Sequence, residues 1–396
     1  MAVYRYLPIP SDRMGFLWAV TGIPGIAVLE FGPMGTTNFA TRHMEEAPIY
    51  TTHITDSVLT FGDSRPLQLA IAELEERTAP DMIYVMQSAV TSIIGFDMES
   101  FCSQIQPLHR AKLIPVTLSG LSGDYTDGLA LGMLSLLREW AKPSETKRKA
   151  FHILGASIDY ARIRPDVDEI IRLMEGAFGW TPGLVLPCNA NIEALQTCAE
   201  GGVSLVLRKE AIPAAEFLQE SFHIPYLIGQ PYGIEGTARW LASVGQVCGQ
   251  TPDPSFIYGE KEVLYPLSKP RLTKACIVSE HTMAAALSAF LLEELDISTV
   301  NAFAFEKKLV TAYAGMITAY EEQAVDAWIT GNHPDLLMGN SVVTERDFGY
   351  TACRLNIQKP FGIPNQDALP ERGFMGFHGY RNFLYELEQQ ITQQDP

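Results

Sequence analysis

One pattern limits what this chain can fold into. Short apolar runs alternate with longer amphipathic stretches along nearly its whole length. The runs that read as strands are Ile26–Phe31, Ser57–Phe61, Met82–Met86, Lys112–Thr117, Ala150–Leu154, Gly183–Leu186, Ser204–Leu207, Tyr226–Ile228, Ala275–Val278, Thr299–Phe303 and Leu336–Met338. Between most of them the apolar residues recur at helical spacing. Pro66–Arg77 puts Leu67, Ala70, Ile71 and Leu74 on one face, and Asp168–Phe178 and Ala284–Leu295 repeat the pattern. Strands alternating with helices predict parallel sheets covered by helices on both faces.

Two polar, proline-containing connectors, Lys142–Lys147 and Thr251–Pro270, divide the chain into three segments. The expected architecture is α/β: three doubly wound parallel-sheet domains, at 1–145, 146–265 and 266–396, around a central cleft. The C-terminal helix is expected to pack back on the first domain. A hydrophobic fraction of 47% fills several cores, and a charged fraction of 19% argues against long disordered tails. The net charge is −17, and the densest basic run is only Lys147-Arg148-Lys149, so no footprint for nucleic acid is present. The acidic balance permits a basic protein partner without requiring one.

Met14 to Leu29 is apolar but short for a membrane span, and Gly22-Ile23-Pro24-Gly25 breaks it with a tight turn. The reading is a cytoplasmic protein with no membrane association. The cysteines, Cys102, Cys188, Cys198, Cys248, Cys276 and Cys353, are scattered with no C-x-x-C pair, which fits free thiols in a reducing compartment.

Ligands of doubly wound sheets bind beyond the strand C-terminal ends, so the residues after each strand are the candidates. Phe31 leads into Gly32-Pro33-Met34-Gly35-Thr36, a sharp turn with exposed amides or an ordinary strand-to-helix turn. After Met86 come Gln87-Ser88-Ala89, then Gly95 and Asp97, the latter placed to cap a helix starting near Met98. Cys188 follows a strand end and is either reactive or a buried small hydrophobe, whereas Cys276 lies within a strand and belongs to the core. Arg208 follows another strand and could hold an anionic ligand or form a salt bridge. His281 and Asn340 follow two further strands. His378 lies in the Gly- and aromatic-rich stretch Gly373–Arg381, ahead of a helix at Asn382–Ile391. For both histidines a ligand or proton-carrying role stands beside a structural one. No Walker loop, dinucleotide fingerprint, nucleophile elbow or H-E-x-x-H is present, so any ATP chemistry belongs to another protein.

Taken together these loops resemble the nitrogenase component 1 superfamily. Phe31-Gly32-Pro33-Met34-Gly35-Thr36 looks like the family's H-G-P-x-G-C, and Asp56–Asp63 like E-x-D-x-V-F-G-G. Gln87-Ser88-Ala89 through Ile93-Ile94-Gly95-Phe96-Asp97 looks like T-x-C-x-x-x-I-I-G-D-D. Leu336–Ser341, Gly362-Ile363-Pro364 and Gly376–Arg381 look like the closing D-L-x-x-G-N-S, G-I-P and G-Y-x-G segments.

The resemblance also shows departures. The family's cluster cysteines fall on Thr36, Ala89 and near Met14, none of which is a thiolate donor. The position of the nitrogenase cofactor cysteine falls on Arg208, and that of its histidine near Leu369.

What the resemblance implies is a non-nitrogen-fixing, nitrogenase-like oxidoreductase subunit. It would work as a dimer or α2β2 tetramer with an identical or paralogous subunit. An ATP-dependent Fe–S reductase would supply electrons, and the partner would supply the ligands of any Fe–S cluster. The cofactor-binding candidates are Gly35, Thr36, Ser88, Ala89, Cys188, Arg208, His281, Asn340 and His378. The alternative is a cluster-free scaffold that binds a cofactor or small anion. A purely structural partner subunit is a further reading.

Overall fold

A computed structural model describes residues 9–33, 35, 48–121, 123–305, 317–359 and 372–394. Its strands are β1 (Ile26–Phe31), β2 (Tyr50–Thr51), β3 (Met82–Gln87), β4 (Lys112–Val116), β5 (Ala150–Ala156), β6 (Thr181–Pro187) and β7 (Val203–Val206), then β8 (Tyr226–Ile228), β9 (Lys274–Ser279), β10 (Thr299–Ala304), β11 (Ile317–Ala319), β12 (Leu336–Gly339) and β13 (Cys353–Asn356). They form three sheets, ordered β2-β1-β3-β4, β6-β5-β7-β8 and β11-β10-β9-β12-β13. Every strand pair in them is parallel. The central strands are buried along almost their whole length, β3 at every residue. Helices on both faces leave these positions no solvent side, which is why the sequence reads there as continuous apolar runs rather than alternation.

The hydrophobic cores bind the three units together. One core joins Ile153 and Leu205 of the second sheet to Ile277 and Met338 of the third. Another joins Met14 and Leu129 of the first unit to Leu154 and Val206 of the second and Val278 of the third. The first unit reaches that core through two helices, Asp12–Val20 and Tyr125–Trp140. They touch backbone to backbone: a Cβ at Gly15 would lie 1.9 Å from the Tyr125 carbonyl oxygen, and one at Gly128 1.7 Å from that of Asp12. Among the described residues no helix is long and apolar enough to cross a membrane.

Several expectations need correction. Ser57–Phe61 is not a strand: Asp56–Phe61 is a helix, ended by Gly62 at φ 64°. A short apolar run cannot choose between helix and strand by itself, and the free edge of β1 is taken by Tyr50–Thr51. The helix expected at Asn382–Ile391 starts earlier and spans Gly376–Gln394. Gly379 lies inside it because a Cβ there would meet the Phe374 backbone at 2.1 Å. This helix packs on the second unit, against helices Ile163–Phe178, Ile234–Cys248 and Pro254–Leu264, rather than back on the first. Phe377 and Phe383 carry its apolar face into the core shared by the second and third sheets. The connector at 251–270 also holds a helix, Pro254–Leu264, capped by Asp253.

Candidate functional site

The C-terminal ends of the second and third sheets face each other across a seam closed by side chains. Asp159 and Tyr160 follow β5, Arg208 follows β7, Gln230 follows β8, and Glu280 follows β9. The Tyr160 hydroxyl donates to Glu280 Oε1 at 2.6 Å, joining the two sheets. Gln230 Nε2 donates to the Tyr160 oxygen at 3.2 Å and to the Leu207 carbonyl at 2.7 Å. Backbone bonds run beside them: Ala161 N–H to the Ile357 carbonyl, and Lys359 N–H to that of Asp159.

Arg208 is 0% exposed. Its Nη1 donates to Asp159 at 2.8 and 2.9 Å, and its Nε donates to Glu210 at 2.8 Å. Burial pulls its pKa down, but Asp159, then Tyr160 and Glu210, hold it well above the ordinary value, so it stays charged. Burying a charge costs several kcal/mol unless partners satisfy it. Two carboxylates do so here, and that leaves the guanidinium committed to the protein. Glu280 accepts the amides of Thr282 and Met283 at the start of helix His281–Glu293. Burial pushes its carboxyl pKa up, while Arg208 opposes the shift.

The other candidates of these two units lie around the seam. His281 is buried at the first turn of its helix. Asn340 is buried as well, and its Oδ1 caps helix Ser341–Thr344 by accepting from Val343 N–H. Cys188 is buried at the edge of the second sheet, its N–H donating to the Ala156 carbonyl at 2.9 Å. Burial raises its thiol pKa, with Arg164 pulling it back. His378 stands apart, its Nδ1 3.1 Å from Glu169 on helix Ile163–Phe178. The start of its helix still reaches the seam wall, where Gly376 N–H donates to the Pro231 carbonyl.

In the first unit the loops after β1 and β3 touch. Ser88 N–H donates to the Phe31 carbonyl at 3.1 Å, and a Cβ on Gly32 would lie 2.6 Å from Ser88 Cβ. Ser88 is buried and caps helix Ala89–Ile93 by accepting from Thr91 N–H. Ala89 is half-buried, and Gly35 is exposed at φ 96°. Thr36, Gly362-Ile363-Pro364 and Leu369 lie outside the described residues. Beneath the loops Arg13 forms a salt bridge with the buried Glu30.

A metal group needs thiolate, imidazole or carboxylate donors turned toward it. Among the described residues no three His, Cys, Asp or Glu side chains are grouped to hold an ion. At the seam the carboxylates are committed to Arg208, Tyr160 and backbone amides. At the loops Ser88 and Ala89 offer no thiolate. Neither place fits the family's metal group through this chain's own described residues. Asp159, Tyr160 and Gln230 belong to no motif. The rule that directs attention past each strand end applies to β5 and β8 as well, and it would have found them.

Three parallel α/β units, helices on both faces, and loops meeting at the strand ends define a component 1-type architecture. Residues 11–392 match the family described as nitrogenase component 1 type oxidoreductase, and the chain belongs to that family. It is 24% identical to the nitrogenase iron-molybdenum cofactor biosynthesis protein NifN of Nostoc sp., over 95% of this chain and 90% of the relative. It is 22% identical to a subunit of the light-independent protochlorophyllide reductase of Chloroflexus aggregans, over 84% of this chain and 65% of the relative. The solved structure of nitrogenase Cp1 at pH 6.5 superposes with a TM-score of 0.80, covering 100% of this chain and 94% of that one at 17% identity. This last likeness concerns the fold.

Proposed function

We propose that this chain is the ligand-poor subunit of a nitrogenase-like oxidoreductase that does not fix nitrogen. Its three domains, at 1–145, 146–265 and 266–396, pair with an identical or paralogous subunit in a dimer or α2β2 tetramer in the cytoplasm. A paralogous partner supplies the thiolates of any cluster at the shared face, which an identical one could not, and an ATP-dependent Fe–S reductase delivers the electrons. One observation carries this reading. The loops after β1 and β3 meet through the Ser88 to Phe31 bond, yet the described position where the resemblance puts a cluster cysteine is Ala89, which carries no donor. Such a face supplies shape and leaves the ligands to its counterpart. On this reading the loops that carry Gly35, Ser88 and Ala89 face the partner's cluster, and Cys188, Arg208, His281 and Asn340 shape the interior side, with His378 apart from them on Glu169.

A second reading is a cluster-free scaffold that carries a cofactor or small anion without redox chemistry. Similarity to a cofactor biosynthesis protein and the absence of cysteines at Thr36 and Ala89 favour it. Anaerobic isolation from the native cell, with identification of bound proteins and iron analysis, separates the two. A cysteine-bearing paralogue recovered with iron supports the oxidoreductase subunit. An iron-free homo-oligomer supports the scaffold and refutes the first reading.

A further inference from the structure

Arg208 is where the three units meet one side chain. Over its guanidinium lie the rings of Tyr160 at 4.8 Å and of Tyr125, from the first unit's helix Tyr125–Trp140, at 5.7 Å. Tyr160 passes the contact on to Glu280 of the third unit. Gly155 makes the room: at φ 89°, a Cβ there would lie 2.6 Å from Arg208 Cγ. Around the arginine several buried polar atoms have no partner among the described residues. They are Arg208 Nη2, Glu210 Oε1, Ser157 Oγ, Gln230 Oε1 and both amide atoms of Gln358. Each of these residues is more than nine-tenths buried, with Gln230 the most exposed at 7%. The atoms include donors and acceptors on segments that meet at the seam, since Tyr160 pairs with Gln358 in an isolated bridge. Mixed, buried and unpartnered polar groups are what ordered water satisfies.

We infer that the seam is a closed ionic joint completed by ordered water, in which Arg208 locks the three units together and stands in place of the family's cofactor. The identity of the displaced group rests on the family reading given above, whereas the joint rests on the geometry alone. A guanidinium cannot ligate a metal, and its charge opposes entry of a cation. Asp159 and Glu210 are held on the arginine, and Glu280 on Tyr160 and the amides of Thr282 and Met283.

The test uses the full chain, purified anaerobically together with whatever subunit accompanies it. High-resolution diffraction with data on both sides of the iron absorption edge should show water within hydrogen-bond distance of Ser157 Oγ, Gln230 Oε1 and Arg208 Nη2. It should show no anomalous peak at the seam. An anomalous peak there, or continuous density of a larger ligand between Arg208 and Gln358, overturns the inference. In solution, Arg208→Met keeps the bulk and removes the charge, leaving Asp159 and Glu210 buried without it. The melting temperature should fall by roughly 5–10 °C, and adding Asp159→Asn should restore part of the loss. An unchanged melting temperature for Arg208→Met overturns the joint, and if that variant does not fold the diffraction result decides alone. Recovery of an iron-free homo-oligomer would count against the proposed function and leave the joint standing.

Discussion

The loops after β1 and β3 and the seam after β5, β7 and β9 occupy equivalent positions on their sheets, yet they have opposite surroundings. Among the described residues no other sheet faces the first pair. Gly35 is exposed there, and Ile93 is 72% exposed at the end of the short helix that Ser88 caps. At the seam a second sheet end arrives from across, and Arg208 and Glu280 are both 0% exposed. The first sheet's end is exposed at Gly35 and Ile93 although Ser88 itself is buried, whereas at the seam the counterpart belongs to the same chain and the charged groups are interior. In both settings polar side chains cap their own helices, Ser88 in the first and Glu280 and Asn340 in the second. Only in the second is a buried arginine held between two carboxylates, Asp159 and Glu210, as a buried charge requires.

The largest expected effect breaks the interior side of that contrast. Arg208→Ala leaves the buried Asp159 and Glu210 without their cation and should cost about 3–5 kcal/mol in urea unfolding. A loss within the range of an exposed pair, below about 1 kcal/mol, would show that the seam is wetter than its burial indicates.

Asp166 tests what a buried carboxylate does with amides rather than an arginine as its direct partners. It accepts from Phe374 and Met375 N–H at 2.7 and 2.9 Å, with Arg162, Glu169 and Tyr232 near it. Burial pushes its pKa up to about 6, with the two amides opposing the shift. The folded protein holds this proton to higher pH than the unfolded chain does. The resulting stabilisation is complete below the ordinary value of 3.8 and is lost as pH rises through about 6. Asp166→Asn keeps an acceptor and cannot titrate. It should be more stable than the parent at pH 7.5 by on the order of 2–3 kcal/mol, and the advantage should vanish near pH 4. Unfolding curves at the two pH values measure this, and a constant difference would refute it.

Tyr160→Phe removes only the hydroxyl that joins the two sheets. Its bond to Glu280 predicts a loss of about 1.5–2 kcal/mol, and a cycle with Glu280→Gln should show coupling. The smallest effect belongs to the first unit's loops. Ser88→Ala removes one helix cap and should cost about 1 kcal/mol, measured by thermal unfolding of the isolated chain. A cost equal to that of Arg208→Ala would erase the distinction between the two regions.

Most of the fold was legible because the buried parallel strands leave long apolar runs that survive single-sequence reading. Met82–Gln87 and Lys274–Ser279 show this. What failed was short or on an edge. Tyr50–Thr51, Ile317–Ala319 and Cys353–Asn356 have two to four residues each, too few for a period to emerge. The site was legible in position and much less so in chemistry. Arg208, His281 and Asn340 were placed by the strand-end rule, and all three are buried near the seam. Whether the arginine holds a ligand or a neighbour depended on Asp159, far away in sequence and brought to it only by the adjacency of β5 and β7. His378 showed the opposite problem. Its glycine-rich surroundings suggested a presenting loop, whereas those glycines serve close packing against Phe374 and Glu169.

Helix Gly376–Gln394 covers the apolar faces of helices Ile163–Phe178 and Ile234–Cys248, and this has a consequence for how the chain is made. At about 5–20 residues per second, the ribosome releases the second unit many seconds before it has made the helix that covers it. The third unit, whose Glu280 closes the seam, is completed in the same interval. During that time a greasy surface and a half-assembled ionic centre face water together. That interval is when the nascent chain most needs a chaperone to shield it.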